Sequence, residues 1–104
     1  MRPTQSLWRH ALQLTFFTRP NCSLCVDAKA VLSNVWDRRR FEYAEIDVMA
    51  RGQSKWKDLY EFDTPVVHIN NTHDAETTTQ ARKLMHRLTE AEVETAMDEV
   101  AKTK

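Results

Sequence analysis

Two residues of this 104-residue chain stand out for the chemistry they could do. Cys22 and Cys25 are its only cysteines, spaced as Cys22-Ser23-Leu24-Cys25. A short apolar run from Leu12 to Phe17 precedes them and ends in the turn Pro20-Asn21, and a helical pattern follows. A C-x-x-C pair at that junction sets one sulfur among the free N–H groups of a helix N-terminus, which favour an anion. The thiolate is the nucleophile of thiol–disulfide exchange. Arg19 adds positive charge close by, and both effects draw Cys22 from ~8.5 toward the ~3.5–7.5 range of C-x-x-C enzymes. Cys25 falls one turn deeper, facing the core. The asymmetry predicts that Cys22 attacks and Cys25 resolves, with Pro20 setting the turn and Asn21 capping the helix.

Three other uses of the pair are weighed against this one. A structural disulfide closing so short a loop constrains the unfolded chain by only ~2 kcal/mol. A domain of this length can bury a core without it. Metal binding would recruit His68 or His86, yet tetrahedral zinc takes four ligands and no second C-x-x-C is present, so no metal is expected. The third alternative is an interaction domain that kept a fold and lost its catalysis.

The elements that must position the cysteines follow from periodicity. Leu12–Phe17 reads as an interior strand, and Cys25, Ala28, Val31, Leu32 and Val35 recur at helical spacing from Ser23 to Trp36. Phe41, Tyr43, Ile46 and Val48 mark a second strand over 41–48, so the first two strands should be parallel, joined by the helix. Trp56, Leu59 and Tyr60 predict a short helix over 54–60, with Trp56 and Tyr60 as core packing. Pro65 can stand only at the first position of the strand Val66–Ile69, where a cis bond is allowed. Asn70–Gln80 reads as a loop, Lys83–Arg87 as a last strand, and Thr89-x-x-Glu92 as a capping box. The helix it opens packs through Val93, Ala96, Met97 and Val100. Arg38, Arg39 and Arg40 are expected as solvated charge at a helix C-terminus.

Composition sets the outer limits. With 41% hydrophobic and 29% charged residues, a single folded domain over 12–104 is expected behind a flexible leader over 1–11. Formal net charge is zero, which gives no pull toward nucleic acid, and no apolar run reaches the ~18 residues a membrane helix needs. The leader carries Arg2, Arg9 and His10 and no acid, faintly like a mitochondrial presequence. A reducing intracellular compartment, cytoplasmic or mitochondrial, is expected for a working thiol pair.

Taken together, Phe16-Phe17-Thr18-Arg19-Pro20-Asn21-Cys22-Ser23-Leu24-Cys25, Glu45-Ile46-Asp47-Val48 and Thr64-Pro65-Val66-Val67 resemble the glutaredoxins, and most nearly their small divergent relatives. The resemblance implies an α/β thioredoxin-like fold, β-α-β-α-β-β-α, with a four-stranded mixed sheet. It implies a disulfide oxidoreductase with Cys22 and Cys25 as its redox-active disulfide, serving electron transport and cell redox homeostasis. Pro65 would be a cis-proline beside that disulfide, and Thr64 would offer backbone hydrogen bonds to a bound thiol. No bound cofactor is implied; glutathione or a thioredoxin-type reductant would be the co-substrate, and the chain would act as a monomer on thiol and disulfide partners. The chain departs from the family at the Gly-Gly turn near the last strand: its one glycine is Gly52, and the corresponding stretch reads Met85-His86-Arg87. Arg19, Arg51 or Arg87 could then hold the carboxylates of glutathione through side chains.

Overall fold

The computed structural model describes residues 11–72 and 77–102. The chain runs β1 (Leu12–Thr18), α1 (Ser23–Arg38), β2 (Glu42–Asp47), α2 (Ser54–Tyr60), β3 (Val66–Asn71), β4 (Arg82–Met85) and α3 (Glu90–Lys102). The strands form one mixed sheet in the order β2-β1-β3-β4. β1 pairs parallel with β2, in register Leu14 to Tyr43, and antiparallel with β3, in register Leu14 to Ile69. The expected α/β architecture, element order and parallel first pair are all found.

Alternation along β1 decides which layer each side chain joins. Leu12, Leu14 and Phe16 pack with Cys25, Ala28, Leu32 and Val35 of α1 and Val93, Ala96, Met97 and Val100 of α3. Phe17 points the other way, into a second core of Val48, Trp56, Tyr60 and Val66. β1 is thus covered on both faces, which is why its sequence runs fully apolar at its end. Burying each such large side chain contributes about 1.5–3 kcal/mol, so the central strand is the best-anchored element.

Several boundaries differ from the sequence pattern. α1 continues through Arg38, because its last turn is held by ion pairs from Arg38 to Glu90 and Glu94 and from Arg39 to Asp98 on α3. Arg40 instead lies over the Trp36 ring, 3.7 Å from its centre. β2 is trimmed to Glu42–Asp47, where its pairing with β1 ends. β3 extends through Asn71, taking Asn70 and Asn71 out of the expected loop, because both pair with β1. β4 stops at Met85 because His86 turns to φ 68, leaving His86 and Arg87 outside the sheet. Trp56 and Tyr60 take the inward face of α2 as expected, and Leu59, about 100° round the helix from Tyr60, is 44% exposed.

The expected leader lies outside the described residues except for Ala11, whose carbonyl accepts from the backbone and side chain of Thr72. The middle of the predicted loop, residues 73–76, is likewise outside them. Among the described residues no helix is long and apolar enough to cross a membrane.

Candidate active site

The end of β1 and the start of α1 present the cysteine pair. After Thr18 the chain turns through Arg19, Pro20 and Asn21, and Asn21 takes a left-handed φ of 60, a conformation asparagine tolerates. The expected cap is therefore shifted by one residue. Cys22, not Asn21, is the N-cap, extended at φ −115 and ψ 103. Its carbonyl accepts from the N–H groups of Cys25 and Val26 at 3.1 and 3.2 Å. Its Sγ also accepts from the N–H of Cys25 at 3.1 Å. Cys22 and Cys25 are joined as a disulfide. Cys22 is partly buried, and Cys25 is 4% exposed beneath it.

β3 delivers the second wall. Thr64 is buried, with its Oγ1 3.8 Å from the Cys22 Sγ. The Thr64–Pro65 peptide is cis and Pro65 is fully buried. The Pro65 carbonyl accepts from the N–H of His86 at 2.8 Å, which ties the strand entrance to the end of β4. In the stretch Met85-His86-Arg87, where the Gly-Gly turn is absent, His86 takes a left-handed φ of 68, and its ring lies 3.7 Å from Asp63.

A cleft of about 600 Å³ opens at the pair, lined among others by Arg19, Cys22, Cys25, Val26, Lys29 and Glu45. Lys29 and Glu45 are 3.1 Å apart across it, and Tyr43 donates to Glu45 at 2.7 Å. Partial burial pulls the Glu45 carboxyl up, but the bonds from Tyr43 and Lys29 outweigh it and hold the group below its ordinary value. Burial, with the bond to Glu45, pushes the Tyr43 phenol up. The side chain of Arg19 also lines a second, smaller cleft of about 310 Å³ with Pro20, Met49, Glu61 and Phe62. Its Nε is buried with no hydrogen-bond partner among the described residues. A further hollow of about 530 Å³ between α1 and β2, lined by Leu32, Trp36, Phe41 and Tyr43, holds no thiol.

Of the residues singled out from sequence, Cys22, Cys25, Thr64, Pro65 and Arg19 come together. Arg87 does not: it is exposed in the turn after β4 and does not line the cleft. Neither histidine lines it either. His68 is fully buried on the opposite face of the sheet, bonded through Nε2 to the Tyr60 hydroxyl and through Nδ1 to the Thr77 hydroxyl, each at 2.7 Å. Burial, aided by the charge of Lys83, lowers its pKa to about 4. Among the described residues no group of three His, Cys, Asp or Glu could hold a metal ion. The neighbours sequence reasoning missed are Lys29, Glu45, Met49 and Phe62. A large apolar residue just ahead of Thr64-Pro65 was the available signal for Phe62; Lys29 and Glu45 meet only through the parallel pairing of β1 with β2.

The arrangement can exchange two electrons between a thiol pair and a disulfide, with the more accessible cysteine at a helix N-terminus and a buried partner one turn inside. Comparison with known proteins places it. The family model described as Glutaredoxin-like domain (DUF836) matches residues 13–98. A curated protein described as "Glutaredoxin-like protein YDR286C homolog", from Dictyostelium discoideum, is 33% identical over 64 residues. That match covers 58% of this chain and 59% of the relative, so it spans less than two thirds of the relative's length. Among solved structures, an N21Q mutant thioredoxin from Halobacterium salinarum superposes with a TM-score of 0.68 at 15% identity, covering 91% of this chain and 79% of its own. A thioredoxin from Thermus thermophilus gives 0.64 at 19% identity, covering 95% of this chain and 78% of its own. At such identities these two structures speak for the fold alone: it is thioredoxin-like.

Proposed function

The chain belongs to the glutaredoxin-like domain family, and on that premise we propose that it is a thiol–disulfide oxidoreductase in which Cys22 attacks and Cys25 resolves. The observation that carries this is the asymmetry of the pair. Cys22 is the more accessible of the two and its sulfur accepts from the N–H of Cys25, whereas Cys25 is buried. A thiolate at Cys22 is stabilised by that donor, by the helix N-terminus and by the positive charge of Arg19.

The exchange runs in two steps. The Cys22 thiolate attacks one sulfur of a substrate disulfide, forming a mixed disulfide, and the other substrate sulfur leaves as a thiolate that takes a proton from solvent. Cys25 then loses its proton and attacks the Cys22 sulfur. The second substrate thiolate leaves and the Cys22–Cys25 disulfide remains. The substrate has gained two electrons and takes up two protons, one released by Cys25 and one from solvent, while the protein has lost two electrons and the Cys25 proton. An external thiol must return them, either two glutathione molecules or one dithiol of the thioredoxin type. For glutathione, the backbone at Thr64 beside Pro65 would meet its cysteine, and Arg19 its carboxylate. Arg87, outside the cleft, would contribute at longer range.

The test is a single-turnover reaction of the fully reduced protein with hydroxyethyl disulfide, followed by mass analysis. Wild type should end as the intramolecular disulfide. Cys25→Ser should stop at a mixed disulfide on Cys22, and Cys22→Ser should lose the reaction by at least a hundredfold. Full activity in Cys22→Ser would overturn the assignment.

A further inference from the structure

We propose that the protein substrate of this site is a polypeptide disulfide with an apolar side chain next to its reacting cysteine, seated in the cleft formed by Arg19, Pro20, Met49, Glu61 and Phe62. This rests on the redox reading of Cys22 and Cys25 and names the substrate class. Phe62 is 88% exposed, the most exposed of the large hydrophobic side chains in the described residues. A lone exposed ring would need no explanation. Phe62 is not alone: Met49, 42% exposed, lines the same cleft of about 310 Å³.

Position ties the cleft to the chemistry at both ends. Arg19 and Pro20 line it and belong to the turn that carries Cys22, and Arg19 lines the cysteine cleft as well. Phe62 stands two residues ahead of Thr64, whose hydroxyl is 3.8 Å from the Cys22 sulfur. Two residues of chain span at most about 7 Å, so Phe62 lies within that reach of Thr64, on the segment that leads into the site. The rim carries one cation, Arg19, and one anion, Glu61, and so offers no net charge to an ionic neighbour. An apolar occupant gains most from covering the ring and the thioether.

Two peptides, each closed by one intramolecular disulfide and differing only in Leu or Gln beside the attacked cysteine, test this by single-turnover reduction with the fully reduced protein. Peptide disulfide is reduced to its dithiol as Cys22 and Cys25 are oxidised, so no other reductant enters. Wild type should react about tenfold faster with the Leu peptide, the scale of one well-placed apolar contact. Phe62→Ser should bring that ratio toward one, and Phe62→Leu should restore most of it. A ratio near one in wild type, or a ratio unchanged in Phe62→Ser, would overturn the proposal while a rapid reaction with hydroxyethyl disulfide left the redox reading standing. A wild type inert toward all three disulfides would remove both.

Discussion

At the scale of single residues the site is built on one substitution of roles. Cys22 closes α1 with its own sulfur, while Asn21, the better helix cap by type, is spent on the left-handed turn ahead of it. Sequence could name the turn but not divide its duties, because Asn21 and Cys22 are adjacent and either can precede a helix. His68 shows the same limit on the other face of the sheet. Its place in a β-branched run marked it as a strand residue, but its partners Tyr60 and Thr77 come from elsewhere in the fold. Its consequence is a pH dependence. In the unfolded chain a histidine titrates near 6.5, while buried His68 titrates at about 4, so between those values the unfolded state binds more protons. Stability is therefore full above about pH 6.5 and falls as pH drops toward 4, by up to about 1.4 kcal/mol per pH unit. Denaturant midpoints between pH 7 and 5 should show this slope, and His68→Gln should flatten it. A slope kept in that variant would assign it to other groups.

At the scale of elements, what depends on neighbours in sequence was legible and what depends on distant partners was not. Helix α3 begins where its capping box said it would. The Thr89 hydroxyl accepts from the N–H of Glu92, and the Glu92 carboxylate accepts from the N–H of Thr89, both at 3.1 Å. Thr89→Ala should cost about 1 kcal/mol of stability by denaturant unfolding, and Thr89→Ser should recover most of it; an unaffected Thr89→Ala would mean the box carries no weight. The end of α1 was placed short because Arg38 and Arg39 are held by acids of α3, which leave no local mark. Trp56 and Tyr60 were read as core packing, and they are the residues α2 buries, against Phe17, which leaves Leu59 exposed.

At the scale of the whole molecule the order β2-β1-β3-β4 puts the most apolar strand at the centre and its C-terminal end at the cysteines. Two layers of helix then bury Cys25 from one side and support β3 and its Thr64-Pro65 entrance from the other. This much of the site was legible, since strand, C-x-x-C and Thr-Pro are each short motifs in the right order. The turn after β4 was not. The Gly-Gly pair is absent there, yet His86 takes a left-handed backbone at φ 68, with its N–H bonded to the Pro65 carbonyl. The cleft at Phe62 was equally hidden, because it joins the turn after β1, the end of β2 and the end of α2.

The central claim is that Cys22 and Cys25 are a working couple and not a structural bridge. Equilibrating the protein in glutathione redox buffers of graded ratio, with acid quenching and thiol alkylation read by mass, measures this directly. A working couple predicts half-oxidation between about −120 and −270 mV, the span of thiol oxidoreductases. A midpoint below about −300 mV, where structural disulfides resist the glutathione pool, would contradict it.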